Sequence, residues 1–432
     1  MRRALFSSLV WLCAVSLAAA QLARVEPARG WKTAEGQAFQ ASVVSFDGTT
    51  VVLRMANGAP AQAPAARLST EDQAWLAEWQ KKQPIKVVMP DVVGVETANV
   101  KAEVVSEDAA SEKFIYRTQN FEFESQGKFN QTLLREVARN FEATYELLKA
   151  LPWAIGPAPE KGTHFKARLL KNREAYFAAG GPQNSGGVYQ GGAGLFMVPF
   201  ESIGVKIVGK GYAKDDDFDY STMVHELTHQ MMHSWLRLLP QWIVEGTAEY
   251  TGTLPLKNGR FRVSAAKNGL KDHFESLKRR GVGMPEPYPL EQLFPITNEQ
   301  WQSILESDPR ASHRLYFTSY LLVYYFMHLD GKGDGQLFVR YFREVGTVRS
   351  EVQKYRLAVE EFKKLPGVEV RPDGSYRWPG NLQHPDKPAI IATPDALAEF
   401  QKKTLALLLD GRSDAELMKL IRSAYAKLGI RL

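Results

Sequence analysis

Alternating apolar and polar residues predict a small β-rich module over residues 24–80. Strand-like runs occupy residues 37–43, 49–55 and 58–63, and Asp-Gly and Asn-Gly pairs separate them. Such pairs between strand-like runs favour tight hairpin turns. A Ser/Thr-capped helical turn at residues 68–76 closes the module.

The middle of the chain mixes strand and helix periodicities. Residues 81–112 are charged and Val-rich without clear periodicity, and we interpret them as a linker with at most one strand. Alternation over residues 113–123 predicts a strand or hairpin, and residues 164–170 predict another strand, followed by a short helix at 174–179. Between these strands, apolar residues at helical spacing over residues 132–151 predict a long amphipathic helix.

The rest of the chain is mainly helical in its pattern. Helical periodicity covers most of residues 266–360, a Pro- and Gly-containing loop follows at 365–394, and two helices close the chain, the last opened by a capping box at 413–416. The patterns predict an α+β fold with a mixed domain over residues 113–360 and a helical C-terminal extension over residues 361–432.

The first twenty residues have the pattern of an export signal. Arg2 and Arg3 form a charged start, residues 4–17 are apolar, and small residues follow. We expect cleavage near Ala20 and a secreted or periplasmic protein, with an uncleaved N-terminal anchor as the alternative. No other apolar run approaches the roughly 18 residues that span a bilayer, so we expect no stable membrane insertion after cleavage.

Charge and cysteine content narrow the range of partners. The formal net charge of +6 falls to +4 when Arg2 and Arg3 are removed. The basic residues are scattered and no nucleic-acid-binding motif is present, so we expect no nucleic-acid partner. The single cysteine, Cys13, lies within the signal. The mature chain therefore has neither a disulfide nor a thiolate metal site.

Residues 225–229 read His-Glu-Leu-Thr-His. Positions four apart lie on one face of a helix, so His225 and His229 can bind one metal ion. Glu226 then lies beside a water activated by that metal and is placed to act as its general base. Residues 223–239 contain neither Gly nor Pro and predict a helix of four to five turns around the motif.

The third metal ligand has to come from another element. His233 lies one further turn along the helix, but about 12 Å along the axis separates it from His225 at 1.5 Å per residue. Zinc–nitrogen bonds are about 2.0–2.1 Å long. One ion cannot bridge that span, and we interpret His233 as a helix-face histidine near the site.

Residues 242–248 read Trp-Ile-Val-Glu-Gly-Thr-Ala. This run, whose glutamate lies sixteen residues after the second motif histidine, resembles the Trp-Leu-x-Glu-Gly-x-Ala segment of the gluzincin peptidases, the thermolysin-like and aminopeptidase group. The resemblance implies a zincin-like fold in which Zn²⁺ is bound by His225, His229 and Glu245. It also implies that Glu249 holds a ligating imidazole by its other ring nitrogen. An exchange of roles between Glu245 and Glu249 stays open.

The resemblance extends to two further parts of the site. A tyrosine on a downstream helix is expected to stabilise the oxyanion, and Tyr316 best matches that position, with Tyr320 as the alternative. In gluzincins the strand before the zinc helix is often the sheet edge that pairs with the substrate backbone. This implies a substrate-binding role for Gly194, Leu195, Phe196 and Met197, while a plain structural strand is the other interpretation.

The N-terminal module is similar to a small SH3-like barrel. The similarity rests on Arg29-Gly30-Trp31-Lys32-Thr33, on Gly36, and on Leu68-Ser69 followed by Asp72. It covers about fifty residues. It implies an all-β module that binds an envelope or protein partner, and a spacer fused to the main domain is the alternative.

These observations predict an exported zinc-dependent peptidase with a peptide or protein substrate. The lack of an aminopeptidase-like Gly-x-Met-Glu-Asn run favours an endopeptidase. Two other classes remain: a non-catalytic extracellular protein that binds peptide or glycan on a zincin scaffold, and a zinc hydrolase of non-peptide amides or esters. A closed four-ligand metal site would favour the first, and a small pocket in place of a peptide-sized groove the second.

Overall fold

The protein is a mixed α+β chain of two compact units, Met1–Pro84 and Ile85–Leu432. The computed structural model describes residues 27–46, 49–83, 85–160, 162–183, 185–209, 211–215, 217–279, 284–371 and 374–432. The expected signal at 1–20 and the Asp47-Gly48 turn lie outside those ranges. Within them, no helix combines the length and the apolar character needed to cross a bilayer.

The first unit is a four-stranded antiparallel sheet followed by one helix. Its elements are β1 (Arg29–Lys32), β2 (Ala38–Phe46), β3 (Thr50–Met55), β4 (Pro60–Pro64) and α1 (Thr70–Lys82), with the strands in the order β1-β2-β3-β4. The Trp31 ring is fully buried, and its Nε1 donates to the Ala41 carbonyl at 2.9 Å. Asp72 joins α1 to β1 because it pairs with Arg29 at 2.6 Å and accepts from the Lys32 amide at 2.7 Å.

The second unit begins with a sheet-containing half and ends in a helical half. The strands are β5 (Val92–Gly94), β6 (Glu103–Asp108), β7 (Lys113–Arg117), β8 (Phe121–Ser125), β9 (Phe165–Leu170), β10 (Val188–Gln190), β11 (Leu195–Pro199), β12 (Val205–Val208), β13 (Gly211–Lys214), β14 (Leu256–Lys257), β15 (Arg260–Arg262), β16 (Glu369–Val370) and β17 (Tyr376–Arg377). The helices are α2 (Gln131–Ala150), α3 (Arg173–Ala178), α4 (Ser221–Met231), α5 (Gln241–Thr253), α6 (Ala266–Arg279), α7 (Leu290–Leu293), α8 (Asn298–Ser307), α9 (Pro309–His328), α10 (Gln336–Phe362), α11 (Pro394–Leu409) and α12 (Asp414–Ala426).

The largest sheet of the first half is mixed and has six strands in the order β10-β11-β9-β8-β7-β6. Strands β8, β9 and β11 are parallel to one another, and the remaining pairs are antiparallel. Residues such as Phe123, Ala167 and Phe196 belong to the main core, which also contains buried residues of α2 and α4. The alternate positions include Glu122, which accepts from Arg117 and Lys166 in a charged ladder across the strands. The period-2 alternation thus separates a core face from a charged face.

The helical half is arranged around α9. This helix begins at Pro309, is capped by the Asp308 carboxylate, and is buried over most of its second half. It packs against α5 and α8, while α10 and α12 also contact it. Buried residues of all these helices form one core with the sheet-containing half. The candidate site lies on α4 and α5, which connect the two halves.

Two segments that the sequence set apart from the main domain pack within the second unit. Residues 85–112, part of the expected linker at 81–112, contain strands that pair with others, because β6 pairs with β7 and β5 pairs with β15. The side chains of β6 are exposed throughout, which explains why no apolar alternation marked it. Residues 361–432, the expected helical C-terminal extension, belong to the second unit, and buried residues of α12 lie in the same core as those of α9.

The helix that carries the His-Glu-Leu-Thr-His motif is shorter than expected. It ends at Met231, about three turns long, instead of continuing to Leu239. Turns follow, and in them Trp235 is buried with its Nε1 donating to the Ile155 carbonyl at 3.0 Å. Tertiary burial of these residues overrides a local sequence that has no helix-breaking residue.

Candidate metal centre

Helices α4 and α5 run antiparallel in close contact. The Thr228 and Thr251 hydroxyls lie 2.7 Å apart between the helices. A methyl group added to Gly252 would meet the Ser221 carbonyl at 2.8 Å, so only glycine permits this approach. Because both helices advance about one turn per four residues, side chains at every fourth position meet across the pair.

That contact brings together the three expected ligands. The Nε2 atoms of His225 and His229 are 3.0 Å apart, and each lies 3.3 Å from Oε2 of Glu245. Among the described residues, these three form the His/Cys/Asp/Glu group with donor atoms close enough to share one ion. Tetrahedral ligands at about 2.1 Å from a metal are about 3.4 Å apart. The donor spacing therefore suits a tetrahedral metal.

The electrostatics of the three side chains also suit a cation. Glu245 is 7% exposed, and its buried Oε2 lies 3.3 Å from each of the two imidazole Nε2 atoms. Burial acts to raise the pKa of Glu245, but the charge of His229 and hydrogen bonds with both histidines outweigh it and hold the pKa far below its usual range. Positive charge at this point satisfies a carboxylate that is otherwise costly to bury.

Contacts on the far side of His225 and of Glu245 fix the orientation of these two side chains. Nδ1 of His225 lies 3.3 Å from Oε1 of Glu249. Nε2 of His225 is therefore directed at the point between the donor atoms of His225, His229 and Glu245 (the shared point). Burial alone would lower the pKa of His225, but the hydrogen bonds to Glu245 and Glu249 raise it well above its ordinary value. Gln241 donates to Oε1 of Glu245 at 2.9 Å and so directs Oε2 towards the histidines.

Glu226 occupies the position expected of a general base. Its Oε2 accepts from the backbone amide of Tyr189 in β10 at 3.0 Å. Burial raises the pKa of Glu226 above its ordinary value, although the charges of His225 and His229 oppose the shift. A carboxylate with a raised pKa is suited to exchanging protons near neutral pH.

The two candidate tyrosines of α9 differ in where their rings lie. The Tyr316 ring centroid is 6.4 Å from that of His225 and 5.9 Å from that of Trp301. Burial and the nearby carboxylates raise the pKa of Tyr316, so its hydroxyl stays protonated. Tyr320 is almost fully buried and packs against His273. Tyr316 is therefore the one placed beside the histidines.

The segment expected to pair with substrate is not a sheet edge. Strand β11 pairs with β9 on one side and β10 on the other, and Phe196 and Met197 are buried. The edge strand is β10, which lies in a Gly-rich stretch. With three residues it is too short to show an alternating pattern of apolar and polar residues. Its Tyr189 amide points away from β11, towards Glu226.

Sequence reasoning missed two residues that support the centre. Gln241 lies four residues before Glu245 on the same helix face, so the i,i+4 rule was a usable signal for that pair. The contact of Tyr189 with Glu226 has no local signal, because it exists only where β10 meets α4.

His233 is not near the shared point; its Nδ1 is 2.7 Å from the Tyr189 hydroxyl and its Nε2 is 3.1 Å from Glu160.

Comparisons with known proteins found no match: no family model, no curated protein and no solved structure matches the chain.

Proposed function

We propose that the chain is an exported zinc-dependent peptidase of the gluzincin type, which cleaves within peptide or protein substrates. The observation that carries the proposal is the convergence of His225, His229 and Glu245 beside Glu226. The His₂Glu donor set is typical of catalytic zinc, which takes three protein ligands and keeps one position open. The finer description of the fold, a zincin-like domain after an SH3-like barrel, belongs to the same proposal.

The proposed role of each side chain follows from its contacts. His225, His229 and Glu245 would hold the ion, with Glu249 and Gln241 orienting them. Bound there, zinc supplies Lewis acidity and lowers the pKa of water. Glu226 takes the proton of the attacking water on the carboxylate that Tyr189 anchors, and then transfers it to the leaving amine. The Tyr316 hydroxyl donates to the oxyanion.

The sheet edge supports an extended peptide as substrate. On the side away from β11, the Tyr189 amide of β10 donates to Glu226, and the Tyr189 carbonyl is the group that a substrate backbone would pair with. Addition of a strand to such an edge is a general mode of peptide binding. A peptide lying along β10 would pass the general base, so we assign the substrate-pairing role to Val188–Gln190 in place of residues 194–197.

The test is cleavage of a diverse peptide library by the zinc-loaded protein, followed by mass spectrometry, beside Glu226→Gln. We expect internal cleavage by the wild type and a loss of at least about 100-fold in the variant, since general acid–base catalysis contributes about 10²–10⁴-fold. The variant should retain stoichiometric zinc. Equal cleavage by both proteins would remove Glu226 from the reaction, and zinc binding without any cleavage by the wild type would reject the peptidase proposal.

A further inference from the structure

Tyr189 of the edge strand contacts the motif helix and the turn after it through two different groups. Its backbone amide donates to Oε2 of Glu226 at 3.0 Å, and its hydroxyl lies 2.7 Å from Nδ1 of His233. The rings of Tyr189 and His233 also meet edge-on, with centroids 5.9 Å apart. Glu226 lies within α4, whereas His233 lies just after the end of that helix at Met231. One residue of β10 therefore spans the C-terminal half of α4.

The backbone around Tyr189 has little regular structure to hold it in place. β10 is the edge strand, and three residue pairs join it to β11. Five of the ten residues from 185 to 194 are glycine, which gives a backbone more conformational freedom than any other residue. The ladder with β11 fixes one side of β10, and the two contacts of Tyr189 hold the other side against α4. The position of the Tyr189 amide thus depends on the side chain of the same residue.

Both partners of the side-chain contact are neutral near pH 7. Burial raises the pKa of Tyr189, and the nearby Glu160 carboxylate adds to the shift, so the hydroxyl keeps its proton. Burial lowers the pKa of His233, with Arg356 and Arg237 acting in the same direction and Glu160 opposing them. The Tyr189 hydroxyl therefore donates to Nδ1, and Nε2, which carries the imidazole proton, lies 3.1 Å from Oε2 of Glu160. Both ring nitrogens have partners, which fixes the orientation of the imidazole.

The position of β10 determines whether the Glu226 carboxylate keeps its backbone donor. A glutamate side chain has several rotatable bonds, and the Tyr189 amide holds one of its two oxygens. Catalytic groups need accurate placement, since a displacement of about 1 Å can reduce a rate by about 100-fold. If β10 moves away from α4, the amide of Tyr189 leaves Oε2 of Glu226. His233, which is no metal ligand, is placed to prevent that movement.

We propose that Tyr189 and His233 are positioning residues for Glu226: the hydrogen bond between their side chains fixes β10 against the motif helix, and the Tyr189 amide in turn fixes the Glu226 carboxylate. The role of Glu226 as general base rests on the proposed function. The dependence of the Tyr189 amide on His233 rests on the contacts alone, so the two can be tested separately.

The first experiment measures hydrogen exchange of the Tyr189 amide in the full, zinc-loaded chain, at single-residue resolution. This amide is the donor to Glu226, so its protection reports directly on that bond. Tyr189→Phe and His233→Phe keep an aromatic ring and remove the hydroxyl or the acceptor. We expect the protection factor to fall by about three- to tenfold in either variant, the usual contribution of one hydrogen bond. An unchanged protection factor in both variants overturns the proposal.

Two further variants separate positioning from a general loss of stability. His233→Asn places an amide oxygen near the position of Nδ1, where it can accept from the Tyr189 hydroxyl, and should restore the protection. The matched control is Tyr376→Phe, which removes a hydroxyl that lies 2.6 Å from Nε2 of His384, next to β17. We expect this control to leave the Tyr189 amide unchanged. Equal loss of protection in the control, or no recovery with asparagine, counts against the proposal.

The second experiment measures peptide cleavage and zinc affinity in the same variants. Tyr189→Phe and His233→Phe should lower kcat/KM by about 10–100-fold, as expected of a displaced base, with unchanged zinc affinity. In the Glu226→Gln background neither change should lower the residual activity further, because both act through Glu226. A further loss there, as large as in the wild-type background, assigns the effect to another part of the site and overturns the proposal.

The outcomes distinguish this inference from the proposed function. Loss of Tyr189 protection in both variants, with no cleavage by the wild type, supports the positioning of the Glu226 carboxylate and rejects the peptidase. Cleavage by the wild type with full protection and full activity in both variants keeps the peptidase and rejects the positioning role.

Discussion

Two carboxylates on one face of α5 approach His225 through different atoms. Glu245 lies 3.3 Å from Nε2 of both histidines, whereas Glu249 lies near Nδ1 of His225 alone. Because the helices are antiparallel, a shift of one turn along α5 moves a side chain from the shared point to the back of the imidazole. The geometry thus places the two glutamates at different nitrogen atoms of His225, a distinction that their spacing in sequence left open.

We expect variants of Glu245 and Glu249 to differ in their affinity for zinc. Glu249→Gln removes an orienting contact and should weaken binding by about 10–100-fold, the usual effect of such partners. Glu245→Gln removes a donor atom and should weaken binding by more than that. Competition with a chromophoric chelator measures both constants, with Glu146→Gln, an acidic residue on α2 that pairs with Lys149, as the control. Equal affinities in the two glutamate variants would contradict the assigned roles.

A partly buried histidine away from the site predicts a pH-dependent stability. Nε2 of His328 is 2.8 Å from the Tyr250 hydroxyl, and burial lowers the pKa of His328 from 6.5 to about 4. The unfolded chain therefore binds this proton more readily than the folded one. The contribution of His328 is complete above pH 6.5, and it is lost as the pH falls from 6.5 towards 4.

The expected loss is about 3 kcal/mol over that interval, because each pKa unit corresponds to about 1.4 kcal/mol. Urea unfolding of the wild type and of His328→Gln at a series of pH values isolates the effect, since all other titrating groups are shared. The wild-type curve should fall more steeply than that of the variant between pH 6.5 and 4. Parallel curves would show that His328 titrates normally in the folded state.

At the level of elements, the contact between α5 and α9 depends on one glycine. A methyl group added to Gly246 would lie 2.4 Å from the Ser319 carbonyl and 2.7 Å from the Val323 side chain. Gly246 follows Glu245, and Ser319 is three residues after Tyr316. The glycine of the Glu-Gly pair therefore sets the distance between the helix with the third ligand and the helix with the candidate oxyanion donor.

Gly246→Ala should destabilise the protein by about 1–3 kcal/mol through overpacking, even though alanine favours helix by about 1 kcal/mol. Gly346→Ala on α10 is the matched control, because its added methyl would lie 3.2 Å from the Trp235 ring. We expect that change to be nearly neutral. Chemical denaturation of both variants makes the comparison, and equal stabilities would mean that α9 can move away at little cost.

Sequence periodicity predicted elements well where one face is buried and the other exposed. Helix α2 spans Gln131–Ala150, against an expected 132–151, because its apolar residues repeat at helical spacing. The Ser413 capping box at the start of α12 is likewise present. Periodicity failed at β6, which is exposed on both faces, and at β10, which has three residues. The general expectation of an α+β chain with a sheet-containing N-terminal region is confirmed.

At the level of the whole molecule, the boundary between Pro84 and Ile85 predicts that the second unit folds alone. A chain of residues 85–432 should unfold cooperatively and bind zinc like the full chain, because all the site residues and their contacts lie within it. Circular dichroism melting and chelator competition provide the measurements. Loss of zinc binding in a folded 85–432 chain would count against an independent unit.

The core of the second unit predicts that the C-terminal helix α12 is required for folding. Leu417, Ile421 and Tyr425 are almost fully buried, and the Tyr425 hydroxyl donates to the Leu321 carbonyl of α9 at 2.9 Å. Losing large core side chains costs about 2–5 kcal/mol each, so their sum is comparable to the total stability of a typical domain. A chain ending at residue 411 should not fold, and a wild-type melting curve for it would contradict this prediction.

The sequence by itself determined the amphipathic elements and the chemical character of the candidate site. Helical spacing placed His225 and His229 on one face with Glu226 beside them, since that relation depends on a single helix. Tertiary structure decided everything that involves a second element: the distances of Glu245 and Glu249 from the histidines, the position of Tyr316, and β10 as the sheet edge. These relations depend on how helices and strands pack, and packing is a property of the whole core that no local pattern encodes.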